Sequence, residues 1–138
     1  MKITATIRNE NSTNEVLVST NASEKSISIP AKTGAAGSAV NGGELLFLAL
    51  ATCFCNDIYR EAAKRQIKIH SVEVTVRGEF GGEGEPARFI HYDTRIEAPG
   101  SPEKELRQLI KHVDQIAEIH NTLRGGTAVS LQEVHLHS

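Results

Sequence analysis

The residues best suited to chemistry in this chain are its two cysteines, Cys53 and Cys55. Both lie in the run Leu-Leu-Phe-Leu-Ala-Leu-Ala-Thr-Cys-Phe-Cys, residues 45–55, which is almost entirely apolar. The thiolate is the reactive form of cysteine, and apolar burial disfavours it, so a reactive thiol here needs a nearby cation. The run is shorter than the roughly 20 apolar residues that span a membrane. It therefore predicts the central helix of a soluble protein, and we expect the chain's chemistry to centre on it.

The hydrophobic pattern predicts the elements that position this helix. Alternation indicates three opening strands, and Asn41 with Glu44 three residues later forms a capping box that begins the central helix. A hairpin, a second amphipathic helix and a last strand follow; the predicted strands are residues 3–8, 15–19, 26–29, 71–80, 88–96 and 127–137, and the helices are residues 41–65 and 101–124. The order β-β-β-α-β-β-α-β predicts an α+β fold, with residues 1–138 as one domain.

The predicted central helix is apolar around its circumference, and it is longer than its own sheet can cover. A second copy of the chain, packing helix against helix with two-fold symmetry, would bury the remaining face. We therefore expect an intertwined homodimer.

Composition and motifs exclude several classes of protein. The formal net charge is −2 and no basic cluster interleaves with aromatic residues, so we expect no nucleic-acid partner. The N-terminal residues alternate like a strand and do not resemble a signal peptide, which predicts a cytoplasmic protein without a membrane partner. The Gly-rich stretch 31–43 lacks both common phosphate-binding patterns, and His135 and His137 lack further ligands at suitable spacing. We therefore expect neither cofactor nor metal.

The segment Asn-Gly-Gly-Glu-Leu-Leu-Phe-Leu-Ala-Leu-Ala-Thr-Cys, residues 41–53, resembles the (N/S)-P-x-E-L-L-x-x-A-L-x-x-C motif of the OsmC/Ohr family. This family comprises osmotically inducible proteins and organic hydroperoxide resistance proteins that act in the response to oxidative stress. The resemblance implies a homodimeric OsmC-like fold with peroxiredoxin activity. It assigns the peroxidatic thiol to Cys53 and a catalytic role to Glu44, and it implies no cofactor.

The chain departs from the family at the second cysteine motif, C-P-V-x-x-T-L, which carries the resolving thiol. The matching stretch is residues 117–123, and Ala117 stands at the position of the cysteine. Cys55 cannot replace it, because residues i and i+2 of a helix point about 200° apart. The resemblance therefore implies reduction of an organic hydroperoxide with an external thiol as resolver. Gly42 replaces the motif proline, and the family's activating arginine has no clear match.

Several further residues are candidates for supporting the site. Arg60 shares a helix face with Cys53 and can point toward the thiol, or it can form a surface pair with Asp57. Glu44 lies about 2.5 turns before Cys53, so it would act from the partner subunit or by orienting an arginine, unless it is only the helix cap. His120 and Asn121 fall where the second motif meets the predicted pocket, although both are also compatible with a helix end.

Three functions remain open at the level of sequence. The first is a peroxidase that uses Cys53 and an external thiol, and the second is a non-catalytic OsmC-like dimer that binds a small apolar ligand in its interface pocket. The third is a hot-dog thioesterase, which also wraps a sheet around a long helix. Three strands before the central helix, a second full helix and the lack of an obvious catalytic carboxylate in the middle of the central helix disfavour the third.

Overall fold

The computed structural model describes residues 1–137, which fall into two compact units, Met1–Leu46 and a second unit that begins at Phe47. These described residues combine antiparallel strands with three helices, which confirms the predicted α+β class. The single domain over residues 1–138 stays a prediction. Within the described residues, no helix has both the length and the apolar character required to cross a membrane.

The first unit contains a three-stranded antiparallel sheet in the order β1-β2-β3, formed by Ile3–Glu10, Thr13–Thr20 and Ser23–Ser26. Its two hairpin turns place Asn11–Ser12 and Asn21–Ala22 at positive φ, the backbone geometry of tight two-residue turns. The second turn fixes the register of β3, which pairs Ser26 with Leu17. The prediction of three opening strands is confirmed, but the third strand lies at Ser23–Ser26 and not at residues 26–29, because pairing starts directly after the turn.

The central helix, α1, spans Gly42–Lys64 and begins with the predicted capping box. The backbone N–H of Glu44 donates to Asn41 Oδ1 at 2.8 Å, and the backbone N–H of Asn41 donates to Glu44 Oε1 at 3.0 Å. These two bonds satisfy amide groups that have no partner within the helix, so they explain why α1 begins here.

The second unit is built around one stripe of α1. Strands β4, Ser71–Phe80, and β5, Ala87–Glu97, form the predicted antiparallel hairpin. Helix α2, Glu103–Ile116, supplies Leu109 and Val113 to the core. These side chains are fully buried in the same cluster as residues one turn apart on α1, namely Phe54, Ile58 and Ala62. The stripe holds α1 against the hairpin and α2, and it thereby fixes the direction in which Cys53 points.

The prediction of one continuous second helix is wrong. Ala117 adopts extended backbone angles, φ −62° and ψ 114°, and a separate helix α3 follows as Glu118–Arg124. The amide of Ala117 still donates to Val113 O at 2.9 Å, so α2 closes normally before the chain turns. The start of α2 also differs from the predicted residue 101, because Pro102 is the N-cap and Glu103 is the first residue of the helix.

The prediction of a last strand over residues 127–137 is also wrong. The backbone forms neither strand nor helix from Gly125 to His137, and the alternating apolar side chains Val129 and Leu131 are 98% and 84% exposed. An alternating segment forms a strand only where a neighbouring strand pairs with its backbone through hydrogen bonds. Within the described residues of a single chain, no strand pairs with this tail.

The apolar run of α1 is not buried on all sides in a single chain, contrary to the expectation from sequence. Leu50 and Phe54 are buried, but Leu48 is 60% exposed. The exposed leucine lies away from the stripe that contacts α2. One chain therefore leaves part of its most apolar helix uncovered.

Candidate functional site

Cys53 lies in the middle of α1 with its thiol between two carboxylates. Its Sγ is 3.9 Å from Asp57 Oδ2, one turn further along α1, and 3.7 Å from Glu118 Oε2 at the start of α3. The S–H group can donate to either oxygen. The break at Ala117 brings Glu118 to the thiol, because α3 begins there in a new direction.

The surroundings of Cys53 favour the protonated thiol. Burial raises the pKa of Cys53, and the negative charges of Asp57 and Glu118 raise it further, whereas a hydrogen bond from the backbone N–H of Ile119 lowers it. The factors that raise the pKa dominate. The resting side chain is therefore a thiol that donates a hydrogen bond, and it becomes a thiolate only by losing its proton to a base.

The carboxylates of Asp57 and Glu118 differ in the direction of their pKa shifts. Burial and the charge of Glu118 raise the pKa of Asp57, whose side chain is only 6% exposed. The pKa of Glu118 is lowered, mainly by a hydrogen bond to its own backbone N–H, with Arg60 and Asp57 contributing. Glu118 is therefore the ionised, solvent-accessible member of the pair, and its carboxylate can accept the hydrogen bond of the Cys53 thiol.

Arg60 is directed toward the carboxylates. One guanidinium nitrogen lies 3.0 Å from Asp57 Oδ1 and 3.7 Å from Glu118 Oε1. The other contact joins its Nε to Glu61 Oε2 at 2.9 Å. The predicted pair with Asp57 is thus formed, and among the described residues no hydrogen bond joins Arg60 to the thiol. Arg60 balances the charge around Cys53, and direct activation of the thiol by this arginine stays a prediction.

Glu61 anchors Arg60 and connects α1 to α2. Besides Arg60, its carboxylate contacts Lys64 Nζ at 3.0 Å and His112 Nε2 at 3.2 Å. The hydrogen bonds from Arg60 and Lys64 lower the pKa of Glu61 to about 2. A permanently charged Glu61 therefore fixes the guanidinium in its position beside the two carboxylates of the thiol site.

The other candidate residues take different positions. Glu44 caps α1 through Asn41, so its catalytic role stays a prediction. Ala117 is fully buried at the α2–α3 break, directly before Glu118. His120 is buried beside Phe54 and Tyr92, and Asn121 Nδ2 donates to Gln115 O at 2.9 Å, where it closes the end of α2.

Sequence reasoning assigned neither Asp57 nor Glu118 to the surroundings of the thiol. Asp57 carried a signal, since it follows Cys53 by one turn on the same face. The sequence signal for Glu118 was weak, because it consisted only of the position of Glu118 directly after Ala117 in the second motif. Its contact with Cys53 depends on the backbone break at Ala117, where neither glycine nor proline marks a helix end.

The donor atoms of Cys53, Asp57 and Glu118 lie within 4.8 Å of one another, a spacing that suits a metal ion. Two features disfavour metal binding. Arg60 already balances both carboxylates, and a thiol must lose its proton before it binds a metal. The absence of a metal centre stays a prediction.

Comparison with known protein families gives one match that covers most of the chain. The family described as OsmC-like protein matches residues 35–132. This range includes α1, α2, α3 and the β4–β5 hairpin, and it therefore includes α1 and α3, which form the thiol site. A comparison with curated protein sequences found no match.

Solved structures of similar fold include several proteins of this type. An OsmC-like protein from Mycoplasma pneumoniae is 23% identical with a TM-score of 0.64, covering 90% of this chain and 86% of its own. An organic hydroperoxide resistance protein from Elizabethkingia anophelis is 21% identical with a TM-score of 0.58, at coverages of 91% and 89%. A third, an organic hydroperoxide resistance protein OsmC from Legionella pneumophila, is 17% identical with a TM-score of 0.54, at coverages of 88% and 90%. At these identities the likeness establishes the fold.

Proposed function

The chain belongs to the OsmC-like family, and on that premise we propose that it reduces organic hydroperoxides, with Cys53 as the peroxidatic thiol. The observation that carries the proposal is the contact between the Cys53 thiol and the carboxylate of Glu118, an ionised proton acceptor at 3.7 Å. Two proteins of similar fold are named organic hydroperoxide resistance proteins, which supports the substrate class.

The first half-reaction transfers one oxygen atom to the thiol. Cys53 Sγ attacks the terminal oxygen of R–O–OH, the O–O bond breaks, and the products are Cys53–SOH and the alcohol R–OH. Glu118 accepts the thiol proton as sulfur attacks and passes it to the departing alkoxide, which leaves as R–OH. Arg60, held by Glu61, keeps Glu118 and Asp57 in place during this transfer. Cys53 needs a base because its own pKa is raised, and in this mechanism Glu118 is that base.

The second half-reaction uses thiols from outside the chain. A free thiol R′–SH attacks Cys53–SOH to give the mixed disulfide and water, and a second R′–SH releases Cys53–SH and R′–S–S–R′. Both cysteines of the chain are free, and Ala117 provides no thiol. A supply of reducing thiols suits a cytoplasmic location, which we include in the proposal.

Turnover with an external thiol tests the proposed function directly. The native chain, mixed with cumene hydroperoxide and an excess of dithiothreitol, should consume hydroperoxide many times over and release one alcohol for each hydroperoxide. Loss of hydroperoxide at the rate of the mixture without protein would contradict the proposal.

Replacing Glu118 by glutamine should change two reactions of Cys53 in opposite directions. Loss of the carboxylate charge lowers the pKa of Cys53, so alkylation by iodoacetamide at neutral pH should become faster. Loss of the proton acceptor should slow hydroperoxide reduction by about tenfold or more. Both rates are measured in a Cys55→Ser background so that only one thiol reacts.

Glu103→Gln is the matched control, because Glu103 is an exposed glutamate on α2 that pairs with Arg107. It should leave both rates unchanged. If Glu118→Gln accelerates alkylation and hydroperoxide reduction together, Glu118 suppresses the thiol and is not its base.

We further propose that the chain works as a homodimer. Leu48 on α1 and the apolar tail residues Val129, Leu131 and Leu136 are largely exposed in one chain, and a second copy could cover them. A partner subunit could also bring a cation to Cys53, and Glu44 could serve the site from there. Sedimentation at low micromolar concentration should give the mass of two chains, with weaker association in a Leu48→Glu variant; a well-folded monomer of the native chain would contradict the dimer.

The alternative function is a non-catalytic OsmC-like dimer that binds a small apolar ligand in its interface pocket. The raised pKa of Cys53 favours this alternative, because it leaves little thiolate at neutral pH. The turnover assay distinguishes the two: a binding protein would retain ligand but leave hydroperoxide unreduced.

A further inference from the structure

Helix α3 is too short to hold its own position beside the thiol. It has seven residues, and a helix of this length is marginal in water without contacts to the rest of the chain. Its first two residues nonetheless reach Cys53, Glu118 through its carboxylate at 3.7 Å and Ile119 through its backbone N–H. Contacts elsewhere on α3 therefore fix the direction of this helix.

Arg124, the last residue of α3, binds the end of α2 with two guanidinium nitrogens. Its Nη1 donates to the backbone carbonyl of Asp114 at 2.9 Å, and its Nη2 donates to Asp114 Oδ1 at 2.8 Å. Asn121 adds a third bond between the two helices, from its Nδ2 to Gln115 O at 2.9 Å. Because the guanidinium group is planar, its two contacts fix the orientation of α3 as well as its distance from α2.

Asp114 is itself held by the sheet. The hydroxyl of Tyr92, on β5, donates to Asp114 Oδ1, and the ring of Tyr92 packs against Phe54 at a centroid distance of 5.0 Å. Burial alone would raise the pKa of Asp114, but the hydrogen bonds from Tyr92 and Arg124 lower it, so the carboxylate stays ionised. A series of contacts thus connects the core, through Tyr92 and Asp114, to the far end of α3.

We propose that Arg124 and Asp114 are positioning residues for Cys53, because their contact holds α3 so that Glu118 and the N–H of Ile119 stay at the thiol. Among the described residues, neither Arg124 nor Asp114 makes a hydrogen bond to the thiol, so both act through α3. As a role in hydroperoxide reduction the inference rests on the proposed function. As a control of thiol reactivity it does not depend on that function.

A double-mutant cycle tests the proposal through the apparent pKa of Cys53, measured from the pH dependence of alkylation by iodoacetamide in a Cys55→Ser background. Glu118→Gln alone should lower this pKa, because the negative charge and the hydrogen bond of Glu118 both raise it. In Arg124→Gln, α3 no longer keeps residue 118 at the thiol, so adding Glu118→Gln should shift the pKa by less than about half as much. An equal shift with and without Arg124→Gln, or no shift in either case, overturns the proposal.

Arg107→Gln is the matched control. Arg107 is an exposed arginine that pairs with a carboxylate, as Arg124 does, but its partner Glu103 lies one turn away on the same helix. In this background, Glu118→Gln should shift the pKa of Cys53 by its full amount. A reduced shift would show that the loss of any surface arginine has this effect, and it would overturn the assignment to Arg124.

Amide hydrogen exchange separates the release of α3 from a loss of the fold. In Arg124→Gln, the Ile119 amide should exchange about threefold or more faster, while the core residues Leu109 and Val113 keep their native rates. If the core amides also exchange faster, Asp114→Asn takes the place of Arg124→Gln in the cycle, because it weakens the same contact from the α2 side. Unchanged exchange at Ile119 in both variants overturns the proposal.

Hydroperoxide reduction separates this inference from the proposed function. If both are correct, Arg124→Gln should slow the reduction of cumene hydroperoxide by about threefold or more, and it should add little to the effect of Glu118→Gln. Slowing by the same factor with and without Glu118→Gln would overturn the positioning role. If the native chain reduces no hydroperoxide, the proposed function fails, and the alkylation cycle still decides the role of Arg124 and Asp114.

Discussion

The Cys53→Ser variant should lose hydroperoxide reduction almost completely, with a fall of about 10³-fold or more in the catalysed rate. A serine hydroxyl is a far weaker nucleophile toward peroxide oxygen than a thiol, and no other group at the site can accept the oxygen atom. Serine fits the space of the thiol and can donate a hydrogen bond to Glu118 as Cys53 does. The loss of activity would therefore result from the missing thiol and not from a changed structure. It is measured as cumene hydroperoxide consumption with dithiothreitol in excess.

Cys55→Ser is the matched control, since Cys55 is equally half-buried on the same helix. It lies two residues away and points to another side of α1, where residues such as Asn56 and Val74 are its neighbours. Its rate should stay within about twofold of the native rate. Equal losses in the two variants, or full activity of Cys53→Ser, would remove Cys53 as the peroxidatic thiol.

The Ala117→Cys variant should acquire an internal disulfide cycle that the native chain lacks. Residue 117 directly precedes Glu118, whose carboxylate contacts Cys53, and residue 119 donates its backbone N–H to the same thiol. On oxidation of Cys53, a thiol at position 117 should attack the sulfenic acid, release water and form a bridge from Cys53 to position 117. One equivalent of hydroperoxide should convert most of the variant to the bridged form, measured as the loss of both thiols and by mass mapping of the linked peptides.

Ala117→Ser is the control for size and polarity at this fully buried position. It should oxidise like the native chain and form no bridge. Adding one sulfur to a packed site costs about 1–3 kcal/mol of stability, so folding of Ala117→Cys is checked by circular dichroism. A folded Ala117→Cys that keeps both thiols free after oxidation would show that position 117 does not face Cys53.

Local sequence signals predicted those elements that are stabilised by local bonds. Asn41 and Glu44 predicted the start of α1 because a capping box needs only residues three apart. The alternation of Val72, Val74 and Val76 predicted β4 because its partner strand follows directly across a short loop. The family motif around Cys53 predicted the helix and position of the thiol, and the family match over residues 35–132 confirmed the family.

Other features depend on contacts that sequence patterns do not encode. The break at Ala117 lacks glycine or proline, so the periodicity of α2 continued past the end of the helix. Glu118 reaches Cys53 only because of that break. The tail after Gly126 alternates like a strand, yet a strand forms only beside a partner, and the described residues of one chain supply none.

The most direct test of the account is the intact mass of the native chain after one equivalent of cumene hydroperoxide, with and without glutathione. The account predicts one added oxygen on Cys53 without glutathione, and one glutathione joined to Cys53 by a mixed disulfide when glutathione is present. Cys55 should remain unmodified in both samples. An unchanged Cys53, or a loss of two hydrogens that links the two cysteines of one chain, would contradict the account.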